Sequence, residues 1–258
     1  MIAIQGIQYD AKSSFQRGPA KAPPLIRERL WSDAYNAYAE TGIAVTKEKL
    51  LDCGDFLIND YWDIDNVTTE NLKQSPHLLT WGGDHSITYP VVRAFAKVHQ
   101  DFDILHIDAH ADLYDEFEGD PFSHACPFAR IMEENLTNRL IQVGIRTLTT
   151  HQREQAKHFG VEVIEMKDID LMNQLQFERP LYISLDIDGI DPAFAPGVSH
   201  QESGGLTVRE VIKLIHQIDV PLIGADLVEY NPLNDVAGIT GALCGKLSKE
   251  LLAKMLSK

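Results

Sequence analysis

An apolar run that ends in alternating acids and histidine occupies residues 103–112, and it reads Asp103-Ile104-Leu105-His106-Ile107-Asp108-Ala109-His110-Ala111-Asp112. The apolar half has the length and composition of a buried β-strand. In an extended chain, side chains two residues apart point to the same side, so Asp108, His110 and Asp112 would converge. Carboxylates at the end of a buried strand are costly unless a cation neutralises them. This stretch therefore predicts a metal centre at a strand end.

Two more segments place polar side chains directly after strand-like runs, and they are Gly82-Gly83-Asp84-His85-Ser86 and Ser184-Leu185-Asp186-Ile187-Asp188. Together the three segments supply six candidate metal ligands: His85, Asp108, His110, Asp112, Asp186 and Asp188. Their carboxylates balance the charge of two divalent cations. Carboxylate and imidazole without thiolate favour Mn²⁺ over a structural Zn²⁺. A single Asp-x-Asp pair would more often cap a turn or a helix, but three such segments favour a metal site.

Strand-like runs alternate with helical patterns along the whole sequence. The runs typical of strands are Ile2–Ile7, His77–Trp81, Asp103–Ile107, Leu140–Ile145, Val161–Ile164, Leu181–Asp186 and Pro221–Ala225. Helical patterns cover Tyr89–His99, Ala125–Glu134, Gln152–Phe159, Thr207–Gln217 and Ile239–Leu256, and a capping-box sequence opens the fourth. The alternation predicts an α/β fold with a parallel sheet, helices on both faces and ligands at the carboxyl edge.

No linker or internal repeat divides the sequence, so residues 1–258 are expected to form a single domain. The segment Trp31–Lys73 has the weakest pattern and predicts loops with one or two short elements.

Charge and cysteine content limit the class of partner. The formal net charge is −15, with 38 acidic residues against 23 Lys and Arg, which disfavours nucleic acid and anionic membranes as partners. Cys53, Cys126 and Cys244 form no Cys-x-x-Cys pair, which indicates a reducing compartment. Cys126 is expected to be a partly buried, inert thiol. Because the sequence shows neither a signal-peptide pattern nor a bilayer-spanning stretch, we expect a cytoplasmic protein.

The motifs Gly83-Asp84-His85-Ser86, Asp108–Asp112 and Ser184-x-Asp186-x-Asp188-x-x-Asp191-Pro192 resemble the signature motifs of the ureohydrolase family, which contains arginases and agmatinases. The resemblance covers essentially the whole chain. Around Ser123-His124-Ala125 and Val198-Ser199-His200 it is nearest to the plant-type arginase branch, which is itself agmatinase-like. It implies a three-layer α/β/α fold with a mostly parallel sheet of about eight strands. It also implies two Mn²⁺ per subunit and homo-oligomers, either trimers or hexamers.

The resemblance also implies roles for individual residues. His124 would be the proton shuttle to the leaving amine, a task that suits an imidazole with a near-neutral pKa. Glu229 would bind the substrate guanidinium through a charge-assisted pair. Asp112 would belong to the catalytic centre as well as to the metal ligands, and Asp84 and Asp191 would orient ligands or close turns.

The loop Leu113–Ser123 bears on the choice of substrate. It contains four acids, among them Asp115, and neither Lys nor Arg. An acidic rim favours a substrate whose far end is a cation, so we expect hydrolysis of agmatine to putrescine and urea, with Asp115 among the binding residues. Arginine is the alternative, because plant-type arginases carry a comparable Phe-Glu-Gly loop. Another guanidino or formimino acid also remains open.

Two further interpretations come from other classes of protein. A metal-binding regulatory or scaffolding paralogue would keep the metal site, but it would have no need of His124 and Glu229. A zinc amidohydrolase of the deacetylase type would use a single metal and would not need both His85 and Asp112. The number of metal ions per chain separates this last class from a binuclear manganese hydrolase.

Overall fold

Eight β-strands and seven α-helices form within residues 1–257, the part of the chain that the computed structural model describes. The strands are β1 (Ile2–Gln8), β2 (Leu50–Leu57), β3 (Leu78–Trp81), β4 (Asp103–Ile107), β5 (Arg139–Ile145), β6 (Glu162–Glu165), β7 (Leu181–Asp186) and β8 (Leu222–Val228). The helices are α1 (Ala22–Leu30), α2 (Asp63–Gln74), α3 (Thr88–Ala96), α4 (Pro127–Glu133), α5 (Thr150–Phe159), α6 (Val208–Gln217) and α7 (Ile239–Leu256).

All of these strands join one parallel sheet, in the order β2-β1-β3-β8-β7-β4-β5-β6. Every residue of the four central strands β3, β8, β7 and β4 is buried. A strand that is buried on both faces needs mostly apolar side chains on both alternations, which is why these runs read as continuous hydrophobic sequence. The predicted α/β fold with a parallel sheet is confirmed.

Helices cover both faces of the sheet and make the three layers. On one face α1, α6 and α7 bury Ile26, Ile212 and Leu247 against the strands. On the other face α2 and α3 bury Ile64 and Phe95. Because successive side chains of a strand point to opposite faces, each central strand contributes to both cores. Among the described helices, none is long and apolar enough to cross a membrane.

Elements with a strong hydrophobic pattern form where they are predicted, although their ends differ by up to three residues: α3 ends at Ala96 instead of His99, and β8 continues to Val228 instead of Ala225. Weakly patterned elements differ more. The predicted capping box is present at the start of α6, where Glu210 Oε2 accepts from the Thr207 N–H at 2.7 Å and Thr207 Oγ1 accepts from the Glu210 N–H at 3.2 Å. The pattern does not predict α1, whose first turn carries Pro23. Nor does it locate β2 and α2, which contain 8 and 12 residues. β2 is an edge strand with a half-exposed, acid-containing sequence, so it lacks the apolar alternation of a buried strand.

Candidate active site

All six predicted metal ligands lie at the carboxyl edge of the sheet. His85 follows β3, the group from Asp108 to Asp112 follows β4, Asp186 ends β7 and Asp188 lies in the next turn. Since the carboxyl ends of parallel strands meet at one edge, the fold brings these three segments together. Five of the six residues are buried, and His110 is partly exposed to the cavity above them.

His85 Nδ1 lies at the centre of one ligand cluster. It is 3.1 Å from Asp108 Oδ2, 3.1 Å from Asp112 Oδ2 and 3.2 Å from Asp186 Oδ2. The other ring nitrogen, Nε2, is 2.9 Å from the hydroxyl of Ser184, and this hydroxyl donates to the buried carboxylate of Asp226 at 2.7 Å. Nε2 is therefore a hydrogen-bond donor. Nδ1 faces three carboxylates and has no hydrogen-bond partner within residues 1–257.

A second cluster surrounds His110. Its Nδ1 lies 3.4 Å from Asp108 Oδ1 and 3.2 Å from Asp188 Oδ2. Asp108 therefore presents one carboxylate oxygen to His85 and the other to His110. A carboxylate that faces two neighbouring clusters could contact a metal ion in each, which suits a binuclear metal site.

The electrostatics of the first cluster favour a bound cation. Burial raises the pKa of Asp186 well above its ordinary value, and the neighbouring carboxylates of Asp188 and Asp108 raise it further. Burial would lower the pKa of His85, but the carboxylates around it raise that pKa well above its ordinary value. Both raised pKa values mean that the metal-free cluster holds protons, because its carboxylates have no other positive charge to balance them. A divalent cation can supply that charge. The imidazole and carboxylate donors fit a hard or borderline metal ion such as Mn²⁺.

His124 and Glu229 form a buried pair beside the clusters. His124 Nδ1 is 3.1 Å from Glu229 Oε1, and the same oxygen accepts from the His85 backbone N–H at 2.8 Å. Burial would lower the pKa of His124, but the hydrogen bond and charge of Glu229 raise it to about 9. This differs from the near-neutral pKa expected of a proton shuttle, because the carboxylate stabilises the imidazolium. His124 Nε2 contacts Ser14 Oγ at 2.8 Å in the wall of the cavity.

Unusual backbone geometry fixes two of these side chains. Asp112 and Glu229 have positive φ angles of 49° and 62°, a conformation that costs a non-glycine residue about 1–3 kcal/mol. Backbone bonds hold both, since the Asp112 carbonyl accepts from Phe128 N and Glu229 N–H donates to Gly83 O at 2.9 Å. Gly83 has no substitute here, because a Cβ atom would lie 1.6 Å from the carbonyl oxygen of Tyr9.

Asp84 and Asp191 both accept backbone hydrogen bonds, but at different places. Asp84 is fully buried and accepts from the Lys12 N–H at 2.9 Å, which ties the segment that carries Ser14 to the active site. Burial, assisted by the charge of Glu229, raises the pKa of Asp84 to about 6. Asp191 accepts from the N–H groups of three residues in the loop after β7 and closes that loop. These three bonds connect Asp191 to the backbone of the loop and to no candidate metal ligand.

A cavity of about 270 Å³ opens above the clusters and the His124–Glu229 pair. Its outer wall contains polar and aromatic side chains from separate segments: Ser14, Tyr114, Phe117, Thr147, Gln152, His200 and Glu202. Several of these, such as Ser14, Thr147 and Glu202, carry no sequence pattern that marks them as functional.

The structure does not bring Asp115 into this wall. Its side chain is 60% exposed and lies 3.0 Å from His151 Nε2. The acidic loop contributes Tyr114 and Phe117 to the cavity, and none of its four acids lines it. Cys126 is fully buried, and burial raises the pKa of its thiol to about 12, in keeping with an inert thiol.

Known proteins share both the sequence and this architecture. Residues 1–253 match the model of the Arginase family. "Arginase 1, mitochondrial" of Arabidopsis thaliana is 44% identical over 275 residues, which covers 98% of this chain and 80% of the relative. The agmatinase of Bacillus cereus is 30% identical over 264 residues, which covers 97% of this chain and 90% of the relative. The structure of arginase from Medicago truncatula aligns with a TM-score of 0.92 and 41% identity, over 98% of this chain and 86% of that one. Two histidine–carboxylate clusters at the edge of such a sheet, in a sequence matched almost from end to end, show that the chain belongs to the arginase family.

Proposed function

We propose that this protein is a binuclear manganese hydrolase that cleaves the guanidino group of arginine to give ornithine and urea. The observation that carries the proposal is the unpartnered Nδ1 of His85, which faces three carboxylates beside the His124–Glu229 pair. The six ligands His85, Asp108, His110, Asp112, Asp186 and Asp188 would hold two Mn²⁺ ions. When bound, such ions would lower the pKa of water toward neutrality and so supply a nucleophile.

Glu229 is proposed to bind the substrate guanidinium. Its buried carboxylate lies at the base of the cavity, and the His85 N–H and His124 already fix one of its oxygens. A guanidinium can donate two hydrogen bonds to a carboxylate in a planar arrangement, which would orient its carbon toward the metal clusters.

His124 is proposed to protonate the leaving amine. In the metal-free protein the pKa of His124 is raised to about 9, so at neutral pH the ring carries a proton on both nitrogens. Nδ1 remains with Glu229, and Nε2 can exchange its contact with Ser14 Oγ for the substrate nitrogen. As the bond between the guanidino carbon and this nitrogen breaks, the nitrogen takes the Nε2 proton and leaves as the amine of ornithine.

Two observations favour arginine over agmatine. The plant relatives, at 44% identity for the Arabidopsis protein, are named arginases, whereas the Bacillus relative named agmatinase is 30% identical. In addition, the acids of the loop Leu113–Ser123 do not line the cavity, while Ser14, Thr147 and Gln152 do. Hydroxyl and amide groups can donate hydrogen bonds to a carboxylate, which arginine has and agmatine lacks.

Agmatine is the second candidate, and one feature favours it. Glu202 lines the outer part of the cavity, and no Lys or Arg is found among the described residues that line it. A carboxylate in this position can attract the terminal ammonium of agmatine. The same group can also bind the α-ammonium of arginine, so Glu202 alone does not discriminate between the two substrates.

Urea release from arginine, agmatine and guanidinobutyrate by the manganese-loaded protein tests the proposal. We expect the highest kcat/KM with arginine. A clear preference for agmatine would transfer the assignment to agmatinase, and formamide release from formiminoglutamate would indicate a formimino-acid hydrolase. A metal-loaded protein that turns over none of these would support the scaffolding paralogue. Glu202→Gln should weaken binding of either cationic substrate, whereas Glu116→Gln in the exposed loop is the matched control.

Metal content and assembly are tested separately. Two manganese ions per chain are expected, and one zinc ion per chain would favour the deacetylase-type amidohydrolase. A homo-oligomer, trimer or hexamer, and a cytoplasmic location stay predictions. Analytical ultracentrifugation of the purified protein measures the first.

A further inference from the structure

We infer that His106 is a positioning residue that fixes the orientation of Asp108, the carboxylate that faces both metal clusters. This inference rests on the proposed metal centre but not on the identity of the substrate. His106 lies in β4, two residues before Asp108, and it is not among the six proposed ligands. Its contacts are the basis of the assignment.

The His106 ring is held rigidly beneath the metal clusters. It is fully buried, and Nε2 lies 2.7 Å from Asp108 Oδ2. One face of the ring stacks on Phe128, with the ring centroids 3.9 Å apart. A ring packed in this way cannot rotate without opening a cavity in the core, so its nitrogens keep their directions.

Gln142 determines which nitrogen of His106 carries the proton. Gln142 Nε2 lies 2.6 Å from the carbonyl oxygen of Ala111, which can only accept, so this atom must be the amide nitrogen. The same nitrogen lies 3.0 Å from His106 Nδ1, which must then accept. The single proton of a neutral imidazole is therefore on Nε2, and it points at Asp108 Oδ2. Gln142 Oε1 is buried without a partner among the described residues, so the two hydrogen bonds of Nε2 alone determine the orientation of the amide.

Both oxygens of Asp108 are consequently held. Oδ2 accepts from His106, and Oδ1 accepts from the His110 backbone N–H at 2.6 Å. A carboxylate oxygen with one hydrogen bond keeps a lone pair for a cation. Without the His106 donor, Oδ2 loses its hydrogen bond while Oδ1 keeps the one from the His110 N–H, so small changes in both side-chain torsions can pivot the carboxylate about Oδ1 and carry Oδ2 away from His85. The loss should therefore fall on the cluster around His85.

His106 cannot itself serve as a metal ligand in this arrangement, although its ring nitrogens lie close to His85 and Asp108. Nε2 carries a proton directed at Asp108, and the lone pair of Nδ1 is occupied by the amide of Gln142. Neither nitrogen has a free lone pair. His106 thus acts on the metal through Asp108, as residues that support metal-bound carboxylates do in other proteins.

Manganese binding by the chelator-stripped full-length protein tests the inference without any substrate. His106→Phe keeps a ring against Phe128 but has no N–H, whereas His106→Gln can return an amide N–H near the position of Nε2. We expect the wild type to bind two Mn²⁺ by calorimetry. In His106→Phe one dissociation constant should rise about 10–100-fold while the other changes little. His106→Gln should recover most of the lost affinity, and His77→Phe, just before β3 and remote from the site, should bind as the wild type does.

Electron paramagnetic resonance supplies a second readout. We expect the fully loaded wild type to give the signal of two coupled Mn²⁺ ions. His106→Phe with one equivalent of metal should instead give the signal of isolated Mn²⁺, because only one of its sites is filled. Unchanged binding in His106→Phe, or an equal loss at both sites, would overturn the inference. If this variant does not fold, manganese binding by Gln142→Met tests the inference instead. This substitution removes the N–H that fixes the proton on His106 Nε2, so it should weaken metal binding at one site. A wild type that binds no metal would refute the proposed metal centre itself.

Discussion

The His124–Glu229 pair predicts how the stability of the metal-free protein changes with pH. Glu229→Gln is the informative substitution, because it removes the negative charge but keeps an amide oxygen that can accept from the His85 N–H at 2.8 Å. The two side chains are 11% and 5% exposed, so solvent screens their interaction little.

The size of the effect follows from the pKa of His124. The folded state raises this pKa from 6.5 to about 9, although burial acts in the opposite direction. A difference of this size between folded and unfolded states corresponds to about 3 kcal/mol of stability. Because the folded-state pKa is the higher one, the contribution is fully present below pH 6.5 and is lost as the pH rises to about 9. Asp112 and Asp84 raise the same pKa and remain in the variant.

Urea unfolding in the presence of a chelator measures this contribution. We expect Glu229→Gln to be less stable than the wild type at about pH 6, and the difference in free energy of unfolding to shrink by up to about 3 kcal/mol by pH 9.5. Proton NMR of the His124 ring should show a lower pKa in the variant. Ser14→Ala, which removes the uncharged partner of His124, should leave the pH dependence in place. A difference that is constant or grows over this range would refute the reasoning.

Three further substitutions test the site and its supports. Asp186→Asn should abolish manganese loading and urea release together, measured by metal content and by the urea assay, and full activity in this variant would contradict the proposed site. Gly83→Ala should lower the free energy of unfolding by about 3 kcal/mol or more, because its Cβ would lie 1.6 Å from Tyr9 O, and thermal unfolding would detect the loss. Thr149→Ala removes the capping box of α5 and should cost about 1 kcal/mol in urea unfolding, against less than about 0.5 kcal/mol for the exposed neighbour Thr150→Ala; equal costs would argue against the cap.

The meeting of the proposed metal ligands could be predicted from the sequence because the pattern that marks them is local. Asp108, His110 and Asp112 alternate directly after an apolar run, and a strand makes such residues converge whatever the rest of the fold is. That the three segments meet follows from a parallel sheet, whose carboxyl ends share an edge. The buried strands could also be predicted from a local pattern, because burial on both faces requires continuous hydrophobic sequence.

The substrate-facing wall could not be predicted in this way. Ser14, Gln152 and Glu202 lie on three separate segments, and each is a common type of surface residue. Their approach depends on how the loops fold over the sheet edge, a contact between remote parts of the chain. The prediction that Asp115 binds substrate failed for the same reason. The sequence shows that the loop is acidic, but it does not show which of its side chains line the cavity.

His106 lies between these two cases. The alternation that brings Asp108 and His110 to one side extends one step back to His106, so the sequence does contain a signal for it. The sequence does not reveal its partner, because Gln142 lies directly opposite it on β5 through strand pairing.

The register extends this contact into a buried polar row that crosses six neighbouring strands beneath the two clusters: Gln5, Thr80, Asp226, Ser184, His106 and Gln142. Polar groups are costly in the middle of a sheet unless they are hydrogen-bonded, and here the row contacts both His85 and Asp108. One level of the sheet interior thus contains polar instead of apolar side chains, and these orient His85 and Asp108, two of the proposed metal ligands.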